Sequence, residues 1–222
     1  MSFPSDDAPS FLTTKPPDMR KLPAFLILFF FLFSCTKQIK PSDDFTIQEG
    51  QAATRVSSTK TLFTKYTIRA GQHYCDQNTI KSVRTSEIKF MARFDNTAIY
   101  QTIDPLNQYD INKLWGFSEG FDHQYNSARI GWAYNDGALR LYAYAYNNGV
   151  REYQEITPVP IDADITCSIK LSGNTYLFTV NGITVSLPRA SSSLTASGYQ
   201  LYPYFGGDEV APHTIYIWLR NL

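Results

Sequence analysis

SARIGWAYNDGALRLYAYAYNNGVREYQEI, residues Ser127–Ile156, is the stretch on which the fold turns. Asp136-Gly137 and Asn148-Gly149 divide it into three runs. Each dipeptide accepts positive φ at both positions, as a two-residue hairpin turn requires. The spacing predicts a three-stranded antiparallel meander over about Ala128–Asn135, Ala138–Tyr146 and Val150–Ile156. Strand side chains alternate between faces. Ala128, Ile130, Trp132 and Tyr134 therefore share one face of the first strand, opposite Arg129, Gly131 and Ala133. In the second, Leu139, Leu141, Ala143 and Ala145 oppose Arg140, Tyr142, Tyr144 and Tyr146.

The same alternation extends outward. Ile88, Phe90, Ala92 and Phe94 face one way in EIKFMARFD, Glu87–Asp95. Strands are expected at Ile165–Leu171 and Thr175–Val180, hinged on Gly173-Asn174, and at Ile183–Leu187 after Asn181-Gly182. Tyr199–Phe205 and Thr214–Leu219 complete the set, and Phe45–Gln48 offers a short strand upstream. Short strands with frequent turn signals and no amphipathic helix read as an all-β fold. So many strands in so short a chain fit two packed sheets. The expectation is a two-sheet antiparallel β-sandwich over residues 61–222, with a groove where one sheet curves.

The N-terminal region reads differently. Arg20 and Lys21 precede an apolar run, Leu22–Phe33. That run is short for a membrane span, which needs roughly 20 apolar residues, and suits a signal-peptide core. Residues 1–34 read as a signal region with its start at Met19, and residues 35–60 as a polar tether. Leu32-Phe33-Ser34-Cys35 resembles the lipobox of bacterial lipoproteins, in which the cysteine is lipidated and becomes the new N-terminus. The resemblance implies export and a lipid anchor at Cys35, on the bacterial outer membrane or cell surface. A single N-terminal membrane anchor is the other reading.

Composition narrows the partners. Lys plus Arg equals Asp plus Glu, and the basic excess that marks a nucleic-acid footprint is missing. Cys75 and Cys167 remain beside Cys35. An exported chain could bridge them, but Cys167 alternates with Ile165 and Ile169 and reads as a small buried hydrophobe. No Cys/His spacing suggests zinc. No cofactor is expected, apart from a possible structural calcium.

Asn126–Glu152 and Tyr202–Ile217 resemble segments of a group of uncharacterised secreted bacterial proteins with a concanavalin A-like jelly-roll fold. Asn126-Ser127-Ala128-Arg129, Tyr146–Arg151 and Tyr204–Glu209 carry the likeness most distinctly. The resemblance implies the jelly roll over about residues 61–222, and glycans only by analogy of fold.

Several constellations could carry chemistry. Tyr142, Tyr144 and Tyr146 with Arg140 form a row in which flat apolar rings carry hydroxyl tips. Such a row could seat an oligosaccharide, with Arg140 pairing to a carboxylate or sulfate. Equally, tyrosines can fill a half-buried sheet face, and Ala143 and Ala145 opposite could turn the row inward. Trp115, in a loop-like stretch between Lys113 and Gly120, is a ligand-platform candidate, whereas Trp132 reads as core. Gly131 could admit a ligand close to the backbone.

His123, Asn126, Arg129 and Tyr144 make a candidate lyase set, because a uronate lyase needs a base and a group that holds the carboxylate. Asp208 and Glu209 would point to opposite faces of a strand, while Gly206-Gly207 and Pro212 predict a loop. The pair therefore reads first as a structural turn, then as a calcium site, and least as catalytic. Three functions follow: a lipid-anchored sandwich that binds carbohydrate, a polysaccharide lyase or glycoside hydrolase acting on an acidic glycan, or a surface structural or protein-interaction module.

Overall fold

The computed structural model describes residues 62–222. The expectations for the signal region, Cys35, the tether and Phe45–Gln48 lie outside those residues.

Twelve strands form two six-stranded antiparallel sheets. One sheet contains β1 (Thr64–Ile68), β3 (Glu87–Phe94), β8 (Ile165–Ser172), β9 (Thr175–Val180), β10 (Ile183–Pro188) and β12 (Ile215–Asn221), in the order β1-β12-β3-β8-β9-β10. The other contains β2 (Ser82–Thr85), β4 (Asn112–Ser118), β5 (Ser127–Asn135), β6 (Ala138–Asn147), β7 (Val150–Val159) and β11 (Ala196–Leu201), in the order β2-β11-β4-β5-β6-β7. The chain passes from one sheet to the other six times, giving a jelly-roll sandwich rather than two independent meanders.

The turns behave as their residues require. Asp136 and Gly137 both have positive φ, as do Asn148 and Gly149, and Asn181 and Gly182. Each pair closes a tight hairpin, which sets β5, β6 and β7 in fixed register. The core lies between the sheets. Ile130, Trp132, Leu139, Leu141, Ala143 and Ala145 enter it from the second sheet, and Phe90, Phe94, Ile169, Phe178 and Ile217 from the first. Cys75 and Cys167 are buried free thiols, and burial pushes the Cys75 thiol up to about 11.

β4 breaks the alternation. Its pairing with β5 shifts between Lys113 and Trp115. This bulge sends both Leu114 and Trp115 into the core, because an extra residue lets two neighbours take one face. Trp115 was expected on a loop as a ligand platform. It is instead a buried strand residue, edge-on to Tyr66 and Tyr202 at 5.6 and 5.2 Å. Two further boundaries move. Tyr199–Phe205 was expected as a strand, but β11 runs Ala196–Leu201, and Tyr204 only bridges to Tyr74 and Lys113.

Candidate functional site

The outer face of the second sheet holds a cleft of about 610 Å³. β5 contributes Arg129, β6 contributes Tyr144 and Tyr146, β4 contributes Lys113, and β7 contributes Arg151. His123 and Gln124 enter from the loop between β4 and β5, and Tyr199 and Gln200 from β11. Tyr74, Ile80 and Tyr204 form the opposite wall. The lining carries two arginines, one lysine and no carboxylate.

Arg129 is the centre of this arrangement. Only 7% of it is exposed, yet its Nε has no hydrogen-bond partner. Among the described residues no carboxylate lies within ion-pair distance of it. Burial pulls its proton affinity down, and the surrounding tyrosines Tyr144, Tyr199, Tyr146 and Tyr204 push it back up. A buried guanidinium without an anion is costly, so its free donors are poised for an external acid.

Lys113 lies beside it. Its Nζ donates to the Ile111 carbonyl oxygen at 2.7 Å and sits 4.9 Å from the centre of the Tyr144 ring. Burial, then repulsion from Arg129 and Arg151, lowers its pKa to about 8. Gly206 makes room for the amine, since a Cβ there would stand 2.4 Å from Nζ.

One ring nitrogen of His123, Nδ1, lies 2.8 Å from the Tyr199 hydroxyl. Burial and the nearby Arg129 hold this imidazole below its usual range. Burial raises the Tyr144 phenol, and a hydrogen bond with Tyr146 adds to it. Across the cleft, Tyr204 stacks on His73 at 5.3 Å with an interplanar angle of 10°, and Tyr74 meets Tyr204 edge-on at 5.1 Å. His73 is held by the Phe205 carbonyl oxygen at 2.8 Å. This aromatic wall is therefore fixed from behind.

The structure brings His123, Arg129, Tyr144 and Tyr146 to one cleft. Others go elsewhere. Tyr142 packs against Ile111 and Ala133 and approaches Asn135. Arg140 pairs with Glu155 at 2.9 Å, on the sheet face beyond the cleft lining. Asn126 is occupied too, its side-chain oxygen accepting from the Asn148 N–H at 2.9 Å. The space at Gly131 is taken by the chain itself, because a Cβ there would lie 2.4 Å from Ile111 Cγ2. Gly131 thus admits Ile111, not a ligand.

Asp208 and Glu209 do lie in the loop before β12. Glu209 accepts from the Ile103 and Asp104 N–H groups, each at 2.8 Å, and from Asn107 Nδ2 at 2.9 Å. These bonds hold its carboxyl below the usual range. It clamps the 3₁₀ turn Pro105–Tyr109 onto the loop. Among the described residues no three His, Cys, Asp or Glu side chains converge as a metal site. His213 likewise holds a loop, with Nε2 2.9 Å from the Thr97 carbonyl oxygen.

Lys113, Arg151, Tyr199, Tyr204 and Tyr74 were not singled out in the sequence. Arg151 had a usable signal. The Asn148-Gly149 turn places it opposite Tyr146. Lys113 had none, since the bulge that turns it to the cleft leaves no mark in the alternation.

No known family model matches the chain, and no curated protein matches it in sequence. Solved structures do. An alginate lyase, vAL-1 from Chlorella virus, aligns at 15% identity and a TM-score of 0.45, over 73% of this chain and 87% of its own. The alginate lyase AlyC3 aligns at 9% identity and 0.49, over 71% and 72%. The catalytic domain of an endo-1,3-beta-glucanase (laminarinase) from Thermotoga petrophila RKU-1 aligns at 10% and 0.45, over 72% and 75%. At such identities the likeness concerns the fold alone.

Proposed function

We propose that this protein binds an acidic glycan of the uronate class in the Arg129 cleft. One observation carries the reading. A buried, unpaired guanidinium faces a cleft that adds Lys113 and Arg151, holds no acid, and is walled by tyrosines. A guanidinium fork matches a carboxylate with two parallel hydrogen bonds. Tyrosine rings cover the C–H faces of a sugar and leave their hydroxyls for its rim. An uncharged glycan could accept hydrogen bonds from Arg129 but would leave its buried charge without a counter-charge. The lipobox resemblance at Cys35 extends the proposal to an exported, lipid-anchored protein of the bacterial outer membrane or cell surface.

Glycoside hydrolysis fits the cleft poorly. It needs two carboxyl groups roughly 5–9.5 Å apart, and the lining has none. Cleavage by β-elimination is the second reading, and the His123–Tyr199 contact favours it. Arg129 would hold the uronate carboxylate and so acidify the adjacent C–H. Neutral His123 would take that proton. The C–O bond to the leaving sugar would break as the C=C bond forms, and a tyrosine hydroxyl would protonate the departing oxygen.

Titration calorimetry with polyuronates and neutral glucans tests the first reading. Heat with the polyuronate alone is expected, and equal binding of both would overturn it. Ultraviolet absorbance of the unsaturated uronate tests the second. His123→Ala is expected to spare binding and abolish product, and a polyuronate bound without any product leaves binding as the function.

A further inference from the structure

Register fixes where each cation stands on the sheet. Directly opposed residues of antiparallel strands share a face and form rows across it. Lys113 lies in a row between Tyr204 and Gly131. Arg129, two residues before Gly131, lies in the next row, opposite Tyr144. Arg151 lies in the third, opposite Tyr146. Rows on one face are roughly 7 Å apart and neighbouring strands about 4.8 Å apart.

Lys113 on β4 and Arg129 on β5 are therefore roughly 8 Å apart at Cα, and Arg129 and Arg151 on β7 roughly 12 Å. The three cations run diagonally across β4, β5 and β7. Tyr144 and Tyr146 of β6 fill the gap between the second and third, with their rings 5.9 Å apart. A site for one acid sugar needs one cation. Three, spaced along a line with aromatic surface between, suit a ligand that repeats its charge.

Building on the acidic-glycan reading, we infer that the cleft takes a linear oligouronate laid along this diagonal, with successive carboxylates at Lys113, Arg129 and Arg151. Arg129 is the buried anchor. Arg151 is exposed on the edge strand, so it reads chain length rather than the presence of one acid group.

The test is a calorimetric ladder of oligouronates from the monomer upward, run on the wild-type protein and on Arg151→Ala. Wild-type affinity is expected to climb with length, by roughly fivefold for each added exposed ion contact, and then to level off. Arg151→Ala is expected to remove the last step and leave monomer affinity unchanged. Monomer binding as tight as the longest oligomer would overturn the inference, as would an equal loss at every length in Arg151→Ala. Absence of binding at any length would overturn the acidic-glycan reading and this inference with it.

Discussion

Two arginines in this sandwich are equally hidden from water and have opposite surroundings. Arg189 is 3% exposed and Arg129 7%. Arg189 meets Glu119 through Nε at 2.6 Å and Nη2 at 2.7 Å. Its Nη1 donates to the Ser193 carbonyl oxygen at 2.8 Å, and Tyr176 completes the cluster through its own bond to Glu119. That network ties the end of β10 to the loop after β4 and the strand β9. Arg129 has no acid and an idle Nε. Burying a charge is tolerable when its partners are built in. Where they are not, the charge is open to a partner from outside. The comparison sets an arginine that holds the fold beside the one that the proposed function assigns to a ligand.

The sharpest way to break this contrast is to delete each side chain. Arg189→Ala strands Glu119 and should cost about 3–5 kcal/mol of stability, the usual effect of breaking a buried pair, read as a fall in thermal midpoint. A midpoint near wild type would mean that the cluster is not a lock. Arg129→Met should leave the midpoint unchanged or raised, because it removes an unpaired buried charge. It should weaken polyuronate binding roughly ten- to a hundredfold, the worth of a hydrogen bond to a charged group.

A third prediction sharpens the cleft side. Lys113, lowered by burial from the ordinary lysine range to about 8, carries its proton below that pH and loses it above. An anionic ligand favours the protonated amine. Affinity should therefore be highest below about pH 8 and fall as pH rises through it, with Lys113→Met flattening the profile. An affinity that stays constant across that range would remove Lys113 from the site. The smallest effect belongs to Glu209→Gln. It should loosen the Pro105–Tyr109 turn and lower the thermal midpoint slightly, with polyuronate affinity unchanged, since Glu209 lies outside the cleft lining.

The sandwich was legible because its signals are local. Positive-φ dipeptides mark the hairpins and fix which residues oppose each other, so the faces of β5 and β6 could be read directly. Alternation put Tyr144 and Tyr146 on one face of β6 and Arg129 on one face of β5, but it left open whether the tyrosine row turned outward or into the core. β4 was not legible. Its bulge puts Leu114 and Trp115 side by side in the core, so the stretch shows no period of two and Trp115 reads as a loop aromatic. Lys113 disappears with it. Tyr74 and Tyr204 were hidden for another reason. They join the site through isolated bridges between distant loops, and no pattern in either loop encodes that meeting. For Asp208 and Glu209 the local signals were enough to read a loop first, since Gly206-Gly207 and Pro212 mark it, but the partners Ile103, Asp104 and Asn107 that hold Glu209 lie about a hundred residues away and could not be read.

The most direct measurement is a paired one on wild-type protein and Arg129→Met: calorimetric titration with a polyuronate, and a thermal melt of each. The expected result is binding by wild type, its near loss in the variant, and a melt at or above the wild-type midpoint. Undiminished binding by Arg129→Met, or a collapse of its melt to that of Arg189→Ala, would contradict the claim that Arg129 is kept unpaired for a ligand.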